Sequence, residues 1–236
     1  MSEPLEGRRA FVTGASSGIG LAAARALAAA GCEVALCARR LNILKEQAAA
    51  LGTRGFALRG DVRDFRSMQI AADHVKKKWS AAPDILVVNA GMVATAPLAE
   101  MEPEKFRDVI DTNLTGAFHT CRAFVPDMLA AGGDIVLVAS VASYATWETW
   151  GAYCASKWGL LAMARTLAEE VRRKGLRVSI LAPGAVDTEI WPEAQKPDPA
   201  KMLRADDVGA AVVQAVSAPK HVSFDEVRIL PASGLL

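Results

Sequence analysis

Features that mark several common functional classes are scarce in this sequence of 236 residues. Its four cysteines show no C-x-x-C spacing and its three histidines lie far apart, which disfavours a disulfide framework and a zinc site. No apolar run approaches the roughly 20 residues that a membrane helix needs. We therefore expect no metal and no membrane span.

Charge of one sign is also not in excess, because 27 Lys and Arg residues face 26 Asp and Glu residues. The resulting net charge of +1 gives no strong field to attract nucleic acid or an anionic membrane. We expect a small-molecule partner instead. The N-terminal stretch MSEPLEGRR contains no apolar signal region, which predicts a cytoplasmic location.

What the sequence does contain is a regular alternation of short β-rich runs and longer helical stretches, in a chain that is 52% hydrophobic. This order predicts one domain with a doubly wound, parallel α/β sheet and helices on both faces. The predicted strands are 9–13, 33–38, 55–59, 85–89, 135–139, 177–182 and 227–230. The predicted helices are 18–30, 41–51, 64–79, 103–130, 151–174 and 205–217.

Sheets of this kind bind ligands where their strands end, and the first predicted strand runs directly into the glycine loop TGASSGIG. Glycines permit a tight turn and a close approach of backbone to a pyrophosphate, while the following helix N-terminus attracts negative charge. An ordinary strand-to-helix turn is the alternative. The loop is not a Walker A motif, because no Gly-Lys-Ser/Thr follows. The candidate cofactor-binding residues here are Gly14, Ser16, Ser17, Gly18, Ile19 and Gly20.

The second predicted strand ends in Ala38-Arg39-Arg40, with no acidic residue. An acid in this region binds the ribose 2′-hydroxyl of NAD, whereas an arginine accommodates the 2′-phosphate of NADP. The sequence therefore predicts NADP(H), with Arg39 as the first choice because it leaves the strand at once. Two solvated arginines that open a helix are the alternative.

The segment YCASK places Tyr153 and Lys157 four residues apart in a predicted helix. Residues at i and i+4 share one helix face, and a nearby positive charge favours the phenolate and lowers the pKa of a tyrosine. A surface pair on an amphipathic helix remains possible from this pattern alone.

The glycine loop, VNAG at 88–91 and YCASK at 153–157, in this order and spacing, resemble the short-chain dehydrogenase/reductase family. The resemblance covers nearly the whole chain and implies a seven-stranded Rossmann fold. Where the family often has two asparagines before Ala-Gly, this chain has Val88-Asn89. The further cofactor contacts that the resemblance implies are Asp61, Val62, Asn89, Ala90, Gly91, Pro183, Gly184 and Thr188.

The resemblance also implies a catalytic set, in which Ser140 precedes Tyr153 by 13 residues. Ser140 ends the strand IVLVAS, where a hydroxyl can bind a substrate carbonyl, and Tyr153 is the predicted proton donor or acceptor. Lys157 is expected to lower the pKa of Tyr153 and to hold the nicotinamide ribose. Asn113 is implied to link Lys157 to bulk water by a chain of bound water, and a satisfied core asparagine is the alternative. We interpret Ser143, Tyr144 and Cys154 as bystanders near the site.

An apolar or aromatic substrate pocket is predicted outside the cofactor, because ligand sites are usually lined in this way. Some of its residues could instead serve packing or a subunit interface. The family also implies a short substrate lid near 187–203, within which the proline-rich stretch 191–201 predicts an irregular, mobile segment. The predicted pocket residues are Met92, Val93, Trp147, Trp150 and Trp191.

These features favour an NADP(H)-dependent reductase of ketones or aldehydes that forms a homodimer or homotetramer. The C-terminal sequence DEVRILPASGLL lacks the glycine-rich ending common in 3-oxoacyl carrier-protein reductases, so that activity is an alternative, as is a 3-hydroxy acid dehydrogenase. An NADP(H)-sensing regulator is the non-enzymatic alternative. A sugar-nucleotide epimerase is disfavoured by the short chain.

Overall fold

The secondary structure comes from a computed structural model, which describes residues 5–234. The strands are β1 (Arg9–Thr13), β2 (Glu33–Ala38), β3 (Gly55–Arg59), β4 (Ile85–Val88), β5 (Gly133–Val138), β6 (Leu176–Pro183), β7 (Val186–Asp187), β8 (Leu203–Arg204) and β9 (Glu226–Ile229). The helices are α1 (Gly18–Ala29), α2 (Leu41–Ala50), α3 (Phe65–Trp79), α4 (Pro103–Ile110), α5 (Gly116–Met128), α6 (Gly151–Val171) and α7 (Ala205–Val216). The N-terminal stretch MSEPLEGRR and the C-terminal stretch DEVRILPASGLL each extend beyond the described residues, at 1–4 and at 235–236.

Seven strands form one parallel sheet in the order β3-β2-β1-β4-β5-β6-β9. The predicted doubly wound Rossmann sheet is confirmed, and each predicted strand lies within two residues of its observed bounds. The chain builds the sheet outward from β1 to β3, then returns to β4 on the other side of β1. This reversal opens a crevice between the carboxyl ends of β1 and β4, where such folds bind ligands.

The central strands β1, β4, β5 and β6 are largely buried and hydrophobic, as expected where helices cover both faces of a sheet. Successive side chains point to opposite faces, so Phe11 packs with Phe124 of α5, at 4.2 Å between ring centroids, while Val12 belongs to the core on the other face. Helices α1, α2 and α7 contribute to the core that contains Val12, and α3, α5 and α6 contribute to the core that contains Phe11. Both cores fix the strand ends that carry the site.

The predicted single helix over 103–130 is wrong in one respect. A π-helical turn at Asp111–Thr115 separates α4 from α5, and the helix carries a proline at position 126. Hydrophobic spacing cannot reveal such a turn, because it inserts a residue without breaking the helix. The turn buries Asn113, whose side chain is 1% exposed and makes three hydrogen bonds.

The segment between β7 and β8 is irregular, as predicted, although its mobility stays a prediction. The two short strands pair with each other and bracket 3-10 turns at Glu193–Gln195 and Pro199–Lys201. An ion pair of 2.7 Å between Asp187 and Lys196 spans the segment. The base of the predicted lid is therefore held by backbone pairing and by one charge pair.

Among residues 5–234, no helix is both long and apolar enough to cross a membrane. The same part of the chain contains no group of three or more His, Cys, Asp or Glu residues placed to hold a metal. All four cysteines are buried and free. Burial raises the pKa of the Cys37 and Cys121 thiols to about 12, so both behave as small hydrophobic residues.

Candidate active site

A cavity of about 870 Å³ runs along the carboxyl ends of the strands. Its walls contain almost every residue that the sequence singled out, from the loops after all six strands from β1 to β6. Gly20 and Asn113 are the exceptions, because both lie behind the wall. The predicted residues that line it are Gly14, Ser16, Ser17, Gly18, Ile19, Arg39, Arg40, Asp61, Val62, Asn89, Ala90, Gly91, Met92, Val93, Ser140, Trp147, Trp150, Tyr153, Lys157, Pro183, Gly184, Thr188 and Trp191.

The glycine loop lies against the end of β4 so closely that side chains are excluded. Gly14 has a φ of 67°, and a Cβ atom there would lie 2.8 Å from the side-chain amide of Asn89. A Cβ atom on Gly20 would collide with the Gly14 carbonyl oxygen. The side chain of the N-cap residue Ser17 forms no hydrogen bond with α1. The backbone N–H groups in the first turn of α1 can therefore donate to an anion. This cradle fits the pyrophosphate of a dinucleotide.

Thr13 locks the two strand ends that flank the crevice, a role that the sequence analysis did not assign. Its hydroxyl oxygen accepts hydrogen bonds from the backbone N–H groups of Asn89, at 3.0 Å, and Ala90, at 3.2 Å. The Asn89 side chain donates to the Thr13 carbonyl at 3.0 Å. One asparagine therefore supports the sheet here, although the family often has two. A threonine that ends a strand carries no separate signal in the sequence.

Arginines surround the end of the cavity that lies beyond β2 and β3. Arg40 donates to the hydroxyl oxygens of Ser16, at 3.0 Å, and Ser17, at 3.2 Å. Arg63, which the sequence analysis missed because no motif marks it, pairs with Asp61 at 2.7 Å. The hydrogen bond from Arg63 lowers the pKa of Asp61, so the carboxylate is ionised at neutral pH.

Ser140, Tyr153 and Lys157 meet on one wall of the cavity. The Ser140 oxygen accepts the N–H of Ala142 at 3.1 Å, which leaves the hydroxyl proton to be donated. The Lys157 ammonium donates to the Val138 carbonyl at 2.9 Å and lies 5.7 Å from the centroid of the Tyr153 ring. The three side chains therefore come from the end of β5 and from one face of α6.

The pKa of Tyr153 is raised in the structure, whereas the sequence analysis expects Lys157 to lower it. Burial raises the pKa of Tyr153 to about 12, and a hydrogen bond with Ser140 acts in the opposite direction. Burial also lowers the pKa of Lys157 to about 8, because its charged form loses hydration. Desolvation is therefore the largest influence on the pKa of both groups.

Asn113 forms hydrogen bonds with the loop after β4 and with α6. Its side-chain oxygen accepts the N–H of Met92 at 2.8 Å, and its amide donates to the Met92 carbonyl and to the Ser156 hydroxyl oxygen, both at 2.9 Å. Ser156 in turn donates to the Tyr153 carbonyl at 2.7 Å. The side chain thus connects the loop after β4 to α6, and its link from Lys157 to bulk water by bound water stays a prediction.

The three neighbours interpreted as bystanders are all occupied elsewhere. Ser143 donates to the Lys157 carbonyl at 2.8 Å, and the Tyr144 hydroxyl donates to Glu226 at 2.7 Å. Cys154 is buried and its pKa is raised by desolvation. None of the three lines the main cavity.

Tryptophans form the opposite end of the cavity from the arginines. Trp150 meets Tyr153 edge to face, with ring centroids 5.6 Å apart, and meets Trp191 in the same manner at 5.3 Å. The Trp191 indole donates to the Val186 carbonyl at 2.8 Å, which ties it to β7. The aromatic walls of this end therefore reach from the predicted lid to the phenol of Tyr153.

The sheet order, the crevice and the glycine cradle are those of dinucleotide-binding α/β proteins. Comparison narrows this class, because residues 8–199 match the family described as short chain dehydrogenase. The chain belongs to the short-chain dehydrogenase/reductase family. Members of this family are oxidoreductases that bind a nicotinamide cofactor.

Similar proteins include D-threitol dehydrogenase of Mycolicibacterium smegmatis, 39% identical over 196 residues that cover 80% of this chain and 74% of that protein. Glycine betaine reductase of Emericella nidulans is 34% identical over 241 residues, which cover 97% of this chain but 19% of the relative. The chain thus spans about a fifth of that protein. A solved alcohol dehydrogenase of the archaeon Thermococcus sibiricus, complexed with 5-hydroxy-NADP, superimposes with a TM-score of 0.89 at 32% identity and covers 96% and 97% of the two chains.

Proposed function

We propose that this chain is an NADP(H)-dependent oxidoreductase that transfers hydride between the nicotinamide and a ketone, an aldehyde or a secondary alcohol. One observation carries the proposal: Ser140, Tyr153 and Lys157 meet on a single wall of the cavity that also contains the glycine cradle. A hydroxyl donor, a proton source and a buried cation are the groups that carbonyl reduction needs beside a dinucleotide.

The choice of NADP(H) is supported by the charge at the end of β2. Arg39 and Arg40 are exposed there, and a guanidinium suits bidentate contact with a phosphate. The solved relative from Thermococcus sibiricus contains an NADP derivative. In this proposal the glycine loop holds the pyrophosphate, Arg39 contacts the 2′-phosphate, and Thr188 and Gly184 flank the nicotinamide. The bound cofactor supplies or accepts the hydride.

Tyr153 is the proposed proton donor. A phenol with a pKa of about 12 keeps its proton at neutral pH, so Tyr153 is protonated and able to act as the general acid in reduction. Ser140 donates to the substrate carbonyl oxygen, since its hydroxyl oxygen already accepts the Ala142 N–H. Lys157 is held by the Val138 carbonyl beside the phenol, where it contacts the cofactor ribose.

A 3-oxoacyl carrier-protein reductase is the second candidate. The FabG enzyme of that name from Salmonella typhimurium is 34% identical over 186 residues, which cover 78% of this chain and 76% of that protein. The names of the relatives given above refer to different substrates, so membership of the family does not by itself identify the substrate of this chain. We favour free carbonyl compounds because tryptophan rings line the substrate end of the cavity, and we propose 187–203 as its lid.

We also propose that the protein is a homodimer or homotetramer. Phe118 on α5 and Trp158 on α6 are 51% and 48% exposed, which suits burial against a second copy. Light scattering of the purified protein tests this assembly. The cytoplasmic location stays a prediction from the N-terminal sequence.

The decisive experiment removes the phenolic hydroxyl. Tyr153→Phe should lower kcat for ketone reduction by about 10²–10⁴-fold, the usual contribution of a general acid, and should keep NADPH binding. Absorbance of NADPH measures turnover with a panel of ketones, and fluorescence measures cofactor binding.

Tyr144→Phe is the matched control, because this hydroxyl contacts Glu226 outside the cavity. It should retain wild-type turnover. Full activity of Tyr153→Phe would reject the proposed proton donor, and wild-type protein that binds NADPH without reducing any carbonyl compound would favour a regulator.

A further inference from the structure

The two ends of the cavity carry opposite charge. Beyond β2 and β3 the walls contain Arg39, Arg40 and Arg63, and Asp61 offsets one of these cations. At the tryptophan end the acidic side chains in the wall are Glu148 and Glu189. An electropositive end suits the phosphates of a dinucleotide, so the electronegative end requires an explanation of its own.

The two carboxylates have no cationic partner within the described chain. Neither Glu148 nor Glu189 forms an ion pair or a side-chain hydrogen bond with another residue in the range 5–234. The lysine of the neighbouring segment, Lys196, is paired with Asp187 at 2.7 Å. The buried ammonium of Lys157 is bonded to the Val138 carbonyl. The negative charge at this end is therefore available to a ligand.

Tryptophan rings line the same cavity as these carboxylates. Trp150 and Trp191 are inclined at 63° with centroids 5.3 Å apart, so their rings form a corner, and Trp147 directly precedes Glu148. The electron-rich faces of tryptophan attract ammonium groups, most strongly quaternary ones that hydrogen-bond poorly to water. Neutral apolar groups fit such a corner as well, but they gain nothing from the adjacent negative charge.

We infer that the substrate is a carbonyl compound that carries a quaternary or protonated ammonium group, bound by the tryptophan corner and by Glu148 and Glu189. This inference rests on the proposed reductase function. The carbonyl carbon accepts the hydride of the reduced nicotinamide, and the carbonyl oxygen takes the proton of Tyr153, which yields an alcohol and NADP⁺. The ammonium group is unchanged, so it acts in binding alone.

The same charge pattern disfavours carboxylate substrates. A carboxylate placed in the tryptophan corner would meet two like charges, while the nearby lysines Lys157 and Lys196 are bonded to the Val138 carbonyl and to Asp187. Substrates with a negative group at a distance from the carbonyl are therefore expected to bind less well than their neutral analogues.

A matched pair of ketones tests the inference. Trimethylammonioacetone carries the cation, and methyl neopentyl ketone is its carbon isostere, with a tert-butyl group of the same shape. The cation also makes the neighbouring carbonyl intrinsically more reactive, so the wild-type preference alone is not decisive. The quantity to compare is the ratio of kcat/KM for the two ketones in wild-type and variant proteins, because intrinsic reactivity cancels.

In the double variant Glu148→Gln and Glu189→Gln, this ratio should fall about tenfold, as expected for loss of the Coulombic attraction of two exposed carboxylates while the tryptophans remain. Higher salt should lower the wild-type ratio in the same direction. Glu193→Gln is the control, since Glu193 is exposed on the same segment but outside the cavity wall, and its ratio should equal that of the wild type. An unchanged ratio in the double variant overturns the inference.

A binding measurement separates failure of this inference from failure of the proposed function. Tryptophan fluorescence is titrated with choline and with its uncharged carbon isostere, dimethylbutanol, in the presence of NADP⁺. A preference for choline that the double variant loses supports the cation site even if neither ketone is reduced, in which case the reductase proposal fails instead. Equal affinity for the two probes in the wild type overturns the cation site.

Discussion

The two ends of the cavity are built in different ways. The cofactor end consists of strand termini and backbone, where Gly14 and Gly20 admit no side chain and Thr13 joins β1 to β4. The substrate end consists of long side chains from loops, above all Trp150 and Trp191. Strand termini are fixed by the whole sheet, whereas the tryptophans are fixed by ring contacts with each other and with Tyr153 and by one hydrogen bond from Trp191 to β7. Substitutions at the first end should therefore affect every substrate alike, and those at the second end should discriminate between substrates.

The largest expected effect at the cofactor end is that of Gly20→Ala on NADPH affinity. The added methyl group collides with the Gly14 carbonyl and the Asn89 amide, so the loop must move away from β4. NADPH affinity should fall about a hundredfold, equivalent to about 2.7 kcal/mol, as measured by fluorescence titration. Gly52→Ala is the control, because a Cβ atom there has no neighbour within 4 Å, although its φ is 63°. Normal NADPH affinity of Gly20→Ala would show that the cofactor end tolerates side chains.

A smaller effect is expected for the arginines after β2. Arg39 makes no side-chain hydrogen bond with the described residues, whereas Arg40 is already bonded to Ser16 and Ser17. Arg39→Ala should therefore reduce the preference for NADPH over NADH by about 10–100-fold, the value of one charged phosphate contact. Arg40→Ala should change this preference less. Steady-state kinetics with both cofactors decide, and a larger effect of Arg40→Ala would move the 2′-phosphate contact to that residue.

The smallest effect concerns stability, at the wall that the two ends share. The pKa of Lys157 is about 8 in the folded protein, against 10.5 as the ordinary value, so the unfolded chain binds more protons between these values. The free energy of unfolding should therefore rise with pH through this window, by about 1 kcal/mol per pH unit. Urea unfolding of wild type and Lys157→Met at about pH 7 and about pH 9.5 isolates this contribution. Parallel pH profiles of the two proteins would contradict it.

Much of the fold follows from the sequence because hydrophobic period and glycine position act locally. The seven strands of the sheet were predicted within two residues, and the loops after them do line one cavity, as strand ends in a parallel sheet must. The glycine loop was informative for the same reason, since its constraint arises from backbone contact with the adjacent strand.

The parts that the sequence could not supply depend on contacts between distant residues. The hydrogen bonds between the Asn113 side chain and Met92, and the one from Lys157 to the Val138 carbonyl, have no local signal in the sequence. The YCASK pattern predicts a lowered pKa for Tyr153 from the charge of Lys157, whereas desolvation, which depends on the folded surroundings, raises it. Arg63 escaped attention because only the folded chain brings it to the cavity wall.

The π-helical turn at Asp111–Thr115 constrains how this chain can change in length. A π-helical turn takes in one residue more than an α-helical turn, so removing one residue here would restore regular helix with little rotation of α4 against α5. Phe124 would then keep its contact with Phe11 in the core, whereas the widened turn that carries Asn113 would be lost. A deletion at this point would therefore act on the loop after β4, which Asn113 holds, and would leave the packing of the two helices in place.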